Sequence, residues 1–250
     1  LHGVRAERPG PRPPRAGDVV TSIVTPEARQ RVRGLATPVA VALGKVGLTP
    51  NGLTVIGFLG TCVAAWAAAS QLWLLAGVLV LVFGVFDLFD GTLARATGKV
   101  SRFGAFLDST LDRAGESIVY VGIAAGSLAV GFAPGAVLAA TAMGAAFMVS
   151  YTRAKSESLG FTPGTGMANI GLAPREVRIA ILVVGLVGTA TRELFIDPAC
   201  MGAFTSCDFF MAPHVLGSTV LAVTLSLITV LATITAIQRI LHVRTQARED

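Results

Sequence analysis

The sequence predicts an all-α integral membrane protein, with six transmembrane helices preceded by an amphipathic interfacial helix. Two observations carry this. Of 250 residues, 53% are hydrophobic and 14% charged, with a mean hydropathy of +0.69, whereas soluble domains carry about a quarter charged residues. The apolar residues also gather into runs close to the roughly 20 that a helix rising about 1.5 Å per residue needs to cross a bilayer.

Residues 1–25 are rich in Pro, Gly and Arg and lack an apolar core, so they read as a disordered basic tail. The chain begins at Leu1, which suggests a truncated sequence, and no apolar stretch follows the first arginines as a signal peptide requires. From 26 to 48, arginines alternate with a helical apolar stripe too polar to span, which suits an amphipathic juxtamembrane helix lying on the membrane surface. LTPNGLT (Leu48 to Thr54) then turns the chain into the membrane domain, expected over 49–245, and a short tail of 246–250 closes it.

The spans are expected at Leu53 to Leu75, Trp73 to Phe89, Phe103 to Val130, Ala133 to Tyr151, Ile179 to Thr191 and Val215 to Ile237. A tight turn near Gln71 separates the first two. The fifth is short in apolar count, but a start at Pro174, a favoured first-turn residue, extends it to about 27 Å. The alternative for it is a re-entrant segment. No internal repeat is evident.

Orientation follows from the cations. Of 20 Lys and Arg, all but Arg192 fall on one side of this six-span topology. By the positive-inside rule both termini are cytoplasmic, in the cell membrane. The net charge of +5 reads as contact with anionic lipid head groups; nucleic acid is not needed to explain it. Cys62 lies within the first span and reads as packing, while Cys200 and Cys207 share the outer loop, where a disulfide and free thiols are both open. The glycine-rich stretch SLGFTPGTGMANIGLAP reads as a linker more readily than as a phosphate loop.

Against this apolar background, FDLFDGTLARATGKVSRFGAFLDSTLD (Phe86 to Asp112) places four aspartates in or beside spans. Asp87, Asp90, Gly91 and Ala94 share one helical face, and Gly104, Asp108 and Asp112 share another. A short loop, Ala96 to Arg102, makes the two helices antiparallel neighbours, so the acids can converge. One Asp at the centre of a span costs about 2.5–3.5 kcal/mol on insertion scales, so four do not persist as unpaired anions. A salt-bridge network with Arg95, Arg102 and Arg113 is one resolution. A bound ligand is the other, and the small Gly91 and Ala94 clear space for it. An all-oxygen cluster suits Mg²⁺ or Mn²⁺ and offers zinc no thiolate or imidazole. Four acids suffice for two ions, which serve in-line displacement at phosphorus.

These residues resemble the signature of the CDP-alcohol phosphotransferases at every fixed position: Asp87-x-x-Asp90-Gly91-x-x-Ala94-Arg95, then Gly104-x-x-x-Asp108-x-x-x-Asp112. The resemblance implies that family's fold and a homodimer. It also implies its reaction, in which a small alcohol attacks the lipid-side phosphorus of a CDP-linked lipid and CMP is released. By similarity Asp87, Asp90, Asp108 and Asp112 hold the metals, with Asp112 also the general base. Gly91, Arg95, Ser101 and the segment Asn51, Gly52, Leu53, Thr54 would contact the CDP-lipid, although Asn and Thr at a helix start also have ordinary capping roles.

The acceptor is read from SYTRAKSE and APREVRI, which bring Arg153, Lys155, Arg175 and Arg178 together if the fourth and fifth spans pack. Four cations facing the acids suit a small phosphorylated alcohol; positive-inside decoration is the bland alternative. The segments look like those of the phosphatidylinositol-phosphate and archaetidylinositol-phosphate synthase branch, which favours inositol phosphate, with glycerol 3-phosphate as the runner-up. A cation channel or carrier is the non-enzyme alternative, but it predicts acids spread through the membrane depth or paired across repeats, and these cluster at one end of a hairpin.

Overall fold

The computed structural model describes residues 37–161, 170–194 and 213–248, and these are helical apart from short connections. The basic tail, the start of the juxtamembrane segment, residues 162–169 of the glycine-rich stretch, Cys200 and Cys207 lie outside the described residues. We label the helices α1 (residues 37–45), α2 (Pro50–Ala69), α3 (Trp73–Ala96), α4 (Arg102–Ala129), α5 (Ala133–Ser158), α6 (Arg175–Leu194) and α7 (Pro213–Gln246).

Local chemistry sets the ends of the helices that matter for the site. Thr49 caps α2, its hydroxyl accepting the Gly52 N–H at 3.1 Å, with Pro50 in the first turn. Ser101 caps α4 in the same way, from the Gly104 N–H at 2.9 Å. The turn after α2 has Gln71 at φ 66°, so α2 stops at Ala69 and Leu75 belongs to α3. The turn falls where the sequence places it, near Gln71, but the expected first span, carried on to Leu75, ran past it into α3. At the other extreme, α5 and α7 continue past their expected ends through Arg153, Lys155 and Arg239. Lys155 and Arg244 stand in the final turns of these helices, where a cation meets the C-terminal dipole, so hydropathy ends them too early.

Each helix from α2 to α7 packs on two others, and the contacts close into a ring in the order α2, α4, α5, α7, α6, α3. Alanines and glycines bring α2 against α4. A Cβ on Gly122 would run into the Ala65 carbonyl, and one on Gly126 into that of Ala68. Ile123, Leu182, Leu186, Leu225 and Ile228 fill the interior. Ahead of the ring, Ala40 of α1 packs against Leu53 and Leu93.

The ring order corrects one expectation. α3 and α4, although joined by a short loop, do not pack along their length; α2 packs against both. Two facing acidic surfaces gain nothing from close contact, and the separation leaves a cleft between them. Among the described residues, four helices, α2, α3, α5 and α7 from Gly217, are long and apolar enough to cross a membrane. In α4 the charges of Asp112, Arg113 and Glu116 interrupt the apolar run, and in α6 those of Arg175, Glu176 and Arg178 do so. Of these charged residues, Asp112, Glu116 and Arg175 line the cleft, and Arg178 is held by Glu116.

Candidate active site

The cleft has an open volume of about 600 Å³, with an acidic mouth and an apolar floor that includes Val80, Phe83 and Leu182. At the mouth, oxygens of Asp87 and Asp90 on α3 and Asp108 on α4 all lie within 4.8 Å of one another. The i, i+3 spacing on α3 turns its two acids to one side, and α4 supplies the third from across the gap.

Each carboxylate has a distinct set of partners. Asp90, 5% exposed, accepts from the Thr54 hydroxyl at 2.6 Å and from the Gly91 N–H. Thr54 also reaches the Pro50 carbonyl at 3.2 Å, which fixes its rotamer. Oδ1 of Asp108 is buried without a hydrogen-bond partner. Asp112 meets Arg175 Nη2 at 3.0 Å and, more loosely, Arg113 Nη1 at 3.6 Å. Arg175 Nη1 lies 2.5 Å from Asp87. One guanidinium, carried on α6, therefore bridges acids of α3 and α4. Its Nε is buried and unpartnered.

The donor set fits a hard divalent cation. Among the described residues three carboxylates converge without a nitrogen or sulfur ligand, and a buried carboxyl oxygen on Asp108 is left without a partner, a costly arrangement unless a cation meets it.

Other expected residues fall around this centre. A Cβ built on Gly91 would meet the flexible end of Arg95 at 3.5 Å, an ordinary contact, so among the described residues no close approach requires glycine there. Arg95 reaches the Thr92 hydroxyl at 3.5 Å. Gly104 lets Ser101 and Asn51 meet over it: a Cβ there would stand 3.0 Å from the Ser101 hydroxyl and 3.1 Å from Asn51 Oδ1. Gly52 donates to Thr49, so the cap of α2 is Thr49 and neither Asn51 nor Thr54. Leu53 is buried, 1% exposed, between Ala40 and Leu93.

The four expected acceptor-binding cations are in unequal situations. Arg175 lines the cleft. Arg178, 1% exposed, is locked to Glu116 by hydrogen bonds of 2.8 and 2.7 Å and to the Ala173 carbonyl at 3.0 Å. Arg153 pairs with Glu157 at 2.9 Å on an exposed turn of α5, and Lys155 is exposed.

Three residues of this neighbourhood were not anticipated from sequence. Glu116 continues the Asp108, Asp112 ladder by one more i+4 step and also lines the cleft, so extending that ladder would have found it. Thr235 and Arg239 on α7, which bond to the segment ahead of α6, left no pattern that could have found them.

A sequence model of the CDP-alcohol phosphatidyltransferase family matches residues 47–245. An archaetidylinositol phosphate synthase of Pyrococcus horikoshii is 40% identical over 66% of this chain and 82% of its own. A phosphatidylinositol phosphate synthase of Cutibacterium acnes is 36% identical over 83% of this chain and 91% of its own. Among solved structures, the Mycobacterium tuberculosis phosphatidylinositol phosphate synthase with CDP-DAG bound superposes with a TM-score of 0.64 at 26% identity, covering 82% of this chain and 91% of that one. The same enzyme in complex with manganese and citrate superposes with a TM-score of 0.64 at 27% identity, over 82% and 87%.

Proposed function

The chain belongs to the CDP-alcohol phosphatidyltransferase family, a transferase family, and from that premise we propose that it transfers a phosphatidyl-type group from a CDP-linked lipid to a hydroxyl of inositol phosphate, releasing CMP. The observation that carries this reading is the convergence of Asp87, Asp90 and Asp108 beside Asp112 and an arginine with a free buried donor.

Asp87, Asp90, Asp108 and Asp112 would hold Mg²⁺ or Mn²⁺, two ions in our reading. Such ions, when bound, neutralise the phosphoryl oxygens of the diphosphate and orient it for in-line attack. The rest falls to the chain's own groups. Gly91 leaves room for the nucleotide to approach the α3 backbone. Arg95 binds the diphosphate through charge-assisted hydrogen bonds, and Ser101 with Asn51, Gly52, Leu53 and Thr54 lines the approach. Asp112 takes the proton of the incoming hydroxyl as its oxygen bonds to the lipid-side phosphorus and the bond to CMP breaks.

For the acceptor, Arg175 is the direct phosphate contact, because its Nε has no partner among the described residues and a phosphate oxygen would supply one. Arg153 and Lys155 add positive potential nearby. Arg178, with its donors taken by Glu116 and Ala173, braces the wall that carries Arg175. The names of the inositol-phosphate-forming relatives support this choice of acceptor.

We read α2–α7 as six spans of one membrane domain over 49–245, with the segment 26–48 at the interface, a disordered tail before it, and both termini and the cleft mouth cytoplasmic. The family resemblance favours a homodimer in the cell membrane.

The test is turnover by purified protein in detergent. CDP-diacylglycerol or its isoprenoid ether counterpart is offered with radiolabelled inositol phosphate, glycerol 3-phosphate, serine or free inositol. CMP release is expected with inositol phosphate and a divalent ion, and none with EDTA. Reaction with uncharged acceptors alone would overturn the phosphate-binding role of Arg175.

A further inference from the structure

The position of Arg175 depends on the short irregular segment from Ile170 to Pro174 that launches α6. This segment is tied down at three backbone groups. The Ile170 carbonyl accepts from Arg239 Nε at 3.0 Å, the Ala173 N–H donates to the Thr235 hydroxyl at 3.0 Å, and the Ala173 carbonyl accepts from Arg178 Nη1 at 3.0 Å. Between them Gly171 adopts φ 119°, a conformation open to glycine and strained for other residues. It also presses so close to α7 that a Cβ there would collide with the Thr235 methyl.

Two of the three ties come from α7. Thr235 and Arg239 are one helical turn apart on one face, 0% and 3% exposed. Arg239 also donates to the Val149 carbonyl of α5, and among the described residues no carboxylate lies within ion-pair distance of it. A buried guanidinium answered only by carbonyls carries a desolvation penalty that an apolar residue would avoid. Holding two carbonyls from different segments at one point is something that an apolar residue at 239 could not do.

We propose that Thr235 and Arg239 are positioning residues. They latch the Ile170–Ala173 segment to α7 and so set where α6 begins and where Arg175 stands over the acids. Arg175 follows Ala173 by two residues, and its nitrogens lie 2.5 and 3.0 Å from Asp87 and Asp112. A shift of about 1 Å at its root would take those contacts outside hydrogen-bonding range, and misplacements of that size can cost about 10²-fold in rate.

The kinetic part rests on the acceptor-binding role assigned to Arg175; the structural part does not. The test compares Thr235→Val, nearly isosteric, and Arg239→Met with the conservative Thr235→Ser and Arg239→Lys in the full-length protein. Amide hydrogen exchange reads the latch. Peptides covering Ile170–Arg175 are expected to lose protection in Thr235→Val and Arg239→Met, while α2 and α3 keep theirs, and Thr235→Ser should restore it. Kinetics read the consequence: KM for inositol phosphate rises roughly tenfold, the scale of one lost hydrogen bond, with KM for the CDP-lipid within twofold, and the serine and lysine variants recover part of it. Unchanged exchange in both apolar variants overturns the latch. Exchange that changes while both KM values stay fixed or rise together overturns the link to Arg175. If the wild-type protein turns over no phosphorylated acceptor, the acceptor assignment fails and the exchange result still decides the latch.

Discussion

Arg175 Nη2 stands 3.0 Å from Asp112 Oδ1 while its Nη1 reaches Asp87 at 2.5 Å. The fork of a single arginine thus spans the gap between α3 and α4, two helices that do not pack on each other along their length. A planar guanidinium can serve two carboxylates and still present a third edge, which a lysine ammonium cannot do with fixed geometry. This bridge sets a guanidinium against the carboxylates that line the cleft, and the assignments of acid, base and acceptor grip all meet at it.

Asp112 is the member of the acid group assigned to take a proton. Asp112→Asn keeps the shape and a hydrogen-bond acceptor for Arg175 but cannot act as a base. Turnover is expected to fall by about 10²–10⁴-fold, the usual contribution of a positioned base, while Mn²⁺ still binds through Asp87, Asp90 and Asp108, more weakly for the loss of the fourth carboxylate. CMP release and Mn²⁺ electron paramagnetic resonance on the same preparation check both halves. Undiminished turnover would remove Asp112 from the base role.

Thr54 holds Asp90 from a neighbouring helix at 2.6 Å, as partners of metal-binding carboxylates commonly do. Thr54→Val removes that bond at nearly constant volume, and the Mn²⁺ concentration giving half-maximal turnover should rise by roughly 10- to 100-fold. Thr54→Ser should stay near wild type. Equal Mn²⁺ dependence in the valine and serine variants would show that the hydroxyl does not orient the carboxylate.

The acidic hairpin was legible in the sequence because helical spacing is local: Asp87 and Asp90, or Asp108 and Asp112, are fixed relative to each other by the 3.6-residue repeat alone. What lay beyond reach was the arrangement of helices around them. Nothing in the sequence indicates that α2 would pack against both α3 and α4, since that outcome depends on Gly122 and Gly126 of α4 meeting Ala65 and Ala68, and on Gly60 of α2 meeting Phe83 of α3. Nor does the pattern APREVRI distinguish Arg175, which enters the cleft, from Arg178, which turns to Glu116. Three residues along a helix separate them, and that small rotation decides which arginine faces the acids. Thr235 and Arg239 carried no signal, because their partners are backbone groups some 62 and 69 positions away.

The Arg178 and Glu116 pair is a stability element as much as a site element. Both are nearly sealed, with side chains 1% and 8% exposed, so removing one charge strands the other. Glu116→Gln or Arg178→Met alone should cost about 3–5 kcal/mol, a fall in Tm on the order of 10 °C for a chain of this size. The double variant Glu116→Leu with Arg178→Met should recover most of that loss, short of the bond to Ala173. Thermal unfolding in detergent decides it, and a double variant no more stable than the singles would contradict the stranded-charge account.

Gly91 separates a structural glycine from one kept for a ligand. It lies within α3, where alanine is the better helix former by about 0.5–1 kcal/mol, and the nearest neighbour of a Cβ there would be the flexible end of Arg95 at an ordinary 3.5 Å. Gly91→Ala should therefore fold as well as wild type or slightly better, with Tm unchanged or raised by a few degrees. If the nucleotide lies against the α3 backbone, the same methyl group occupies its space, and KM for the CDP-lipid should rise at least tenfold, on the order of 1.4 kcal/mol of lost binding, with KM for the acceptor little changed. Tm and both KM values from one preparation make the comparison. A stable variant with an unaltered KM for the CDP-lipid would move the nucleotide away from this face of α3, and an unstable one would mean that the glycine serves the fold.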